Sequence, residues 1–250
     1  MSSNNRCFQI PGVASALSAI MLCGMSGAVG AKALTGPQVL TQCQAAYDKL
    51  SSYQGDVTSS TDSKMAKAGM MKDCSAHIVY ERPGRIRVDG TGFSGTGYAY
   101  VSNGTTTEMN AFGGWSNAQS PMMAIAGATG IGMHSATTVP STLLHIKIGG
   151  ITGIQSAVLI SENSLINGHT CYKVVVQSPY KTTYWVDKKT WLLVRSVEDL
   201  SSFMSGMGGS GPFLITLNMK SPILNKPISS RVFALPKVTA NMPFLNPPQK

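Results

Sequence analysis

Charge is scarce in this chain. Only 12% of its residues are Asp, Glu, Lys or Arg, and aromatic residues make up 7%. Acidic residues are scarcer than basic ones, 11 against 20, which leaves a formal charge of +9. The lysines and arginines are scattered, with no run longer than Lys188-Lys189, so the clustered footprint of a nucleic-acid binder is missing. No CxxC and no Cys/His spacing points to a metal, and His77, His134, His145 and His169 are not placed as ligand pairs on a helix. The letters Gly206-x-Gly208-x-x-Gly211 match a dinucleotide fingerprint, but that motif must follow a strand and open a helix, and here a strand-like segment comes after it. A dinucleotide site is therefore excluded. No cofactor and no catalytic set is expected, because nothing local assembles a Ser/His/Asp, Cys/His or paired-carboxylate arrangement. After the first thirty or so residues no apolar run reaches the ~20 residues of a membrane-spanning helix.

What is present starts with an export signal. Arg6 is the only charge before Lys32, and a short apolar run from Pro11 to Met25 is followed by small residues. Cleavage is expected after Ala31 or Ala33. Leu22 precedes Cys23, which does not suit a lipid-anchoring site. The expected organisation is a signal over 1–33 and one domain over 34–250, located in the periplasm. Cys7 and Cys23 leave with the signal, so Cys43, Cys74 and Cys171 remain. Export permits one disulfide, and Cys43–Cys74 is the pair expected if one forms.

Mature residues begin with a helix. Pro37 suits a first turn, and Val39, Leu40, Cys43, Ala46, Tyr47 and Leu50 make one apolar stripe. The period then falls to two, with strands expected at 53–60, 75–80, 85–89, 98–101 and 105–110. Arg82-Pro83-Gly84 reads as a turn and Asn103-Gly104 as a hairpin. Residues 61–72 and 200–211 read as loops. A Met-, Ala- and Gly-rich stretch over 120–134 and a second over 138–148 read as helical. Strands resume at 157–160, 169–177, 182–186, 191–197, 213–219 and 228–233. The fold class is α+β: an incomplete, half-open antiparallel β-barrel of about eleven strands, with a helical lid over an apolar concave face. Short connections favour one antiparallel meander, and a sheet of this size curls.

Several motifs occur in a familiar order. They are Ala46-Tyr47-Asp-Lys-Leu50, Arg82-Pro83, Tyr100-Val-Ser-Asn-Gly-Thr-Thr, Asn167-Gly-His-Thr-Cys-Tyr-Lys-Val and Tyr184-Trp-Val-Asp-Lys-Lys-Thr-Trp-Leu-Leu-Val-Arg195. Together they make most of the mature chain resemble the LolA-like periplasmic lipoprotein carriers and their LppX-like relatives. The resemblance implies a non-catalytic protein that binds lipid or the acyl chains of lipoproteins. It also implies membrane-bound donor and acceptor proteins as partners, a monomer, and Arg82 as a latch that holds the lid. Two rivals share the fold: an envelope sensor and an enzyme acting on a small apolar substrate. The residues expected around the cavity and in the lid are Arg82, Met122, Met123, Ile125, Ile131, Met133, Leu143, Leu144, Met204 and Met207. Methionine is unbranched and polarizable, so it repacks around varied apolar ligands. The Met- and Gly-rich lid and the 200–211 loop depart from the carriers.

Overall fold

A computed structural model describes residues 33–111, 113–177 and 180–239. The signal expected over 1–33 lies outside the described residues except for Ala33, and every element below falls in the unit Leu34–Lys250. In chain order the elements are α1 (Gly36–Asp48), β1 (Ser52–Asp62), α2 (Lys64–Lys67), β2 (Cys74–Glu81), β3 (Arg85–Thr91), β4 (Gly97–Ser102), β5 (Thr107–Asn110) and β6 (Trp115–Asn117). Then come α3 (Pro121–Ile131), α4 (Thr138–Leu143), β7 (Ala157–Ile166), β8 (His169–Val176), β9 (Lys181–Asp187), β10 (Leu193–Asp199), α5 (Ser201–Gly206), β11 (Leu214–Met219) and β12 (Ile223–Leu224). A 3₁₀ turn over Ser230–Phe233 follows.

All the ladders are antiparallel, and the strand order is β6-β5-β4-β3-β2-β1-β11-β10-β9-β8-β7, with β12 beside the start of β1. Two meanders are thus joined by one long-range pair, β1 with β11, where Val57 faces Met219. The strands β6 and β7 end the sheet and do not pair with each other, so the barrel is half-open. The segment with α3 and α4 runs from one edge to the other. α3 packs on β4 and β5, while α1 packs on β7, β8 and β9 and also meets α4.

Local chemistry explains these elements. Thr35 caps α1 in a capping box with Gln38: the Thr35 Oγ1 accepts from the Gln38 amide, and Gln38 Oε1 accepts from the Thr35 amide. The predicted stripe turns inward, with Val39, Leu40, Cys43 and Tyr47 buried. Alternation in the strands sends Cys74, Ala76, Ile78 and Tyr80 of β2 inward, together with Ile86 and Val88 of β3. At the Asn103-Gly104 hairpin, Gly104 takes φ +98°, a left-handed value that glycine adopts without strain, and Asn103 Oδ1 accepts from the amides of Thr105 and Thr106.

Four readings change. Residues 61–72 are not all loop, because β1 runs on to Asp62 and Ser63 caps the short α2. Residues 201–206 form α5. β6 is a strand that the sequence did not suggest, since three residues are too few for periodicity. The expected strand over 228–233 is irregular and ends in the 3₁₀ turn, where Phe233 buries its ring and Arg85 lies 5.2 Å from the ring centroid.

The Cys43–Cys74 disulfide is also corrected. Cys43, Cys74 and Cys171 are free and buried. Cys43 sits on the inward face of α1, whereas Cys74 opens β2, where its Sγ lies 4.0 Å from the carbonyl oxygen of Ile131. Burial pushes the Cys43 thiol well above its ordinary range, and burial followed by the nearby Asp73 charge pushes Cys74 up to about 11. Burial, then Asp187, raises Cys171 to about 11. All three should resist iodoacetamide at pH 8 in the folded protein and react once it is unfolded without reductant. Peptide mass spectrometry reads this directly, and a linked Cys43–Cys74 peptide would contradict it.

Candidate functional site

Large side chains are buried over the β1–β5 half of the sheet. Tyr53, Tyr80, Tyr100, Met109 and Ile125 are all almost fully buried there. The other half also buries Val174, Val186, Ile215 and Leu217 but holds a cavity. A cavity of about 660 Å³ lies between β8–β10 and the segment 147–156, within the ~300–1,000 Å³ usual for small-molecule sites. Val176 on β8, Thr182 and Tyr184 on β9 and Glu198 on β10 line the sheet side, and Tyr180 stands just before β9. The cover side is lined by Thr129 near the end of α3, by His134 in the turn after it, by Thr137, and by Lys147, Ile148, Thr152 and Ile154. Glycines 149, 150 and 153 lie in the same segment. The lining therefore mixes apolar surface with hydroxyls, one imidazole and one carboxylate.

The turn that carries His134 is held from several sides. Ser59 Oγ donates to the Met133 carbonyl at 2.6 Å, and Tyr100 Oη donates to the Ala136 carbonyl at 3.0 Å. The Tyr98 and Ser135 hydroxyls are 2.9 Å apart. Met133 and His134 both take left-handed backbone values, φ 43° and 65°. Non-glycine residues are uncommon there, and each costs on the order of 1 kcal/mol. His134 Nδ1 lies 2.8 Å from Glu198 Oε2, with the two side chains 20% and 8% exposed. That is an ion-pair distance, yet Nδ1 has no hydrogen bond of good geometry. The two groups are close, yet the hydrogen-bonding capacity of the pair is incompletely used.

α1 is tied to the cover and to the sheet. Gln44 Nε2 donates to the Thr142 carbonyl and its Oε1 accepts from Thr152 Oγ1. His145 Nε2 is 3.0 Å from Asp48 Oδ1. From the sheet, Arg82 Nε donates to the Leu50 carbonyl at 3.1 Å and Nη2 to the Asp48 carbonyl at 2.7 Å. The Asp48 carbonyl ends α1 and would otherwise lack an intrahelical partner, and Leu50 lies just past the helix. Arg82→Leu should cost about 1–2 kcal/mol, because the bonds are charge-assisted but partly exposed. Urea unfolding checks this, and a neutral result would mean that water replaces the guanidinium at no cost.

The other predicted cavity and lid residues lie elsewhere. Ile125 on α3, Met133 just after α3 and Leu143 on α4 are buried in the core, and Met123, Ile131, Leu144 and Met204 pack against it. Met122 and Met207 are exposed. None of these, and not Arg82, lines the 660 Å³ cavity. What the sequence reading missed was polar. Ser196 and Glu198 alternate with Arg195 and Val197 and point inward on β10, so a carboxylate stands where the pattern calls for an apolar side chain. That inversion was visible in the sequence and marks a site rather than a core.

No family model matches the chain, and no curated protein matches it. Solved structures similar to it include the lipoprotein LppX of Mycobacterium tuberculosis, at 16% identity and a TM-score of 0.44, over 78% of this chain and 97% of that one. LprF of Mycobacterium bovis is similar at 13% identity and a TM-score of 0.44, over 78% and 94%. A LolA superfamily protein of Nitrosomonas europaea is similar at 10% identity and a TM-score of 0.37, over 81% and 99%. Likenesses this distant do not bear on what the chain binds. The half-open antiparallel barrel under a helical cover stands on the chain's own strand order. Among the described residues no helix is long and apolar enough to cross a membrane.

Proposed function

We propose that the chain, once its signal is removed, is a non-catalytic periplasmic carrier that binds lipid or the acyl chains of lipoproteins. The observation that carries this reading is the 660 Å³ cavity between the open half of the sheet and the 147–156 segment. The segment 147–156 covers this cavity, and a long ligand would enter past it. Transfer of each methylene out of water contributes about 0.8 kcal/mol, so one chain of ordinary length supplies ample affinity. The cover must then move for release. Arg82 stabilises the end of α1, on which that cover rests, and so acts as its latch. Met123 on α3, packed against the core, supplies pliable packing at that cover. The carrier works as a monomer between membrane-bound donor and acceptor proteins.

Native mass spectrometry and lipid extraction of protein purified from a bacterial periplasm test the reading. Co-purified lipid, or saturable binding of a fluorescent fatty acyl probe displaced by unlabelled lipid, is expected. Protein that is free of lipid and binds no acyl probe would overturn it.

A further inference from the structure

The lining of the cavity is not what an acyl chain alone requires. Glu198 is 6% exposed and lines the cavity wall. A buried carboxylate beside bare hydrocarbon is costly unless a donor meets it. His134 approaches to 2.8 Å without a well-formed hydrogen bond. The same two residues sit in a preorganised frame: His134 is held at φ 65° by a turn pinned to Ser59, Tyr98 and Tyr100. Strain kept at a cavity wall by neighbouring bonds is the pattern of a functional position.

Charge at this wall selects the ligand. The Glu198–His134 pair itself offers an anion no net positive charge. The cation of the lining, Lys147, lies on the exposed segment at the mouth. Resting on the carrier reading above, we infer that Glu198 and His134 form a headgroup subsite. It takes amphiphiles whose polar group donates hydrogen bonds, a hydroxyl or an ammonium, in preference to a free carboxylate. Glu198 accepts from the headgroup, His134 fixes the carboxylate in place, and Thr182, opposite Glu198 in the β9–β10 ladder, lines the cavity beside them.

The test uses three ligands with one tail length: dodecylamine, monododecanoylglycerol and dodecanoate. Each displaces a fluorescent acyl probe from the purified protein below its micelle concentration. The amine and the glyceride should bind at least tenfold tighter than dodecanoate, which corresponds to about 1.4 kcal/mol. The formal charge of +9 favours the carboxylate non-specifically, so the bias of the protein runs against this result. Glu198→Gln should bring dodecanoate within threefold of the amine and the glyceride. Glu162→Gln, on the exposed face of β7, should leave the wild-type order intact. Equal binding of all three by the wild type, or tighter binding of dodecanoate, overturns the subsite and leaves the carrier reading standing. Binding of none overturns the carrier reading, and the subsite with it. If Glu198→Gln fails to fold, the wild-type ranking alone decides.

Discussion

Tyr100→Ala is expected to destabilise the protein by about 3–5 kcal/mol, the range for removing a buried aromatic ring. The ring is fully buried on β4. Its hydroxyl donates to the Ala136 carbonyl in the turn between α3 and α4. Alanine would leave a large void and an unpaired carbonyl together. Tyr100→Phe separates the two effects. It keeps the ring and should cost about 1–2 kcal/mol for the lost bond. Urea unfolding of both variants reads the difference. Similar costs would mean that the hydroxyl, not the ring, holds the cover, and a cost under about 1 kcal/mol for alanine would contradict the packing altogether.

Gly36→Ala should destabilise by about 1–3 kcal/mol, as overpacking does. The sign is the informative part. Propensity alone says that alanine improves a helix over glycine by roughly 0.5–1 kcal/mol. Here a Cβ would come within 2.6 Å of the backbone carbon and oxygen of Ala157, so α1 must move off the edge strand β7. Gly130→Ala is the matched control. Gly130 lies on the exposed side of α3, and a methyl group added there would meet nothing within 4 Å, so the change should stabilise by the propensity increment. Thermal melts of the two variants should therefore shift in opposite directions. A stabilised Gly36→Ala would show that α1 does not press on β7 this closely.

The strands were legible because their faces differ: Ile86 and Val88 against Arg85, Arg87 and Asp89, or the Asn103-Gly104 turn. The first helix was legible from its stripe. The predicted lid residues illustrate where that kind of reading stops. Hydrophobicity identifies Ile125, Met133 and Leu143 as buried, and they are. It does not distinguish burial in a packed core from burial against a vacant space, since both remove the same surface from water. The polar cavity wall was hidden for a related reason. Thr182 and His134 stand 16 and 64 residues before Glu198 along the chain, and only the β9–β10 ladder and the return of the cover across the sheet bring them together.

Sparse charge, short alternating segments and one amphipathic helix by themselves determined an antiparallel meander with a helical interruption, because each is a local preference of side chains for one face. Tertiary structure alone decided three things. The two meanders join through β1 and β11. Cys43 and Cys74 stay free, buried thiols. One half of the sheet keeps a cavity with a carboxylate in its wall. These depend on which distant residues become neighbours, and the free energy of such contacts belongs to the assembled sheet rather than to any segment of it.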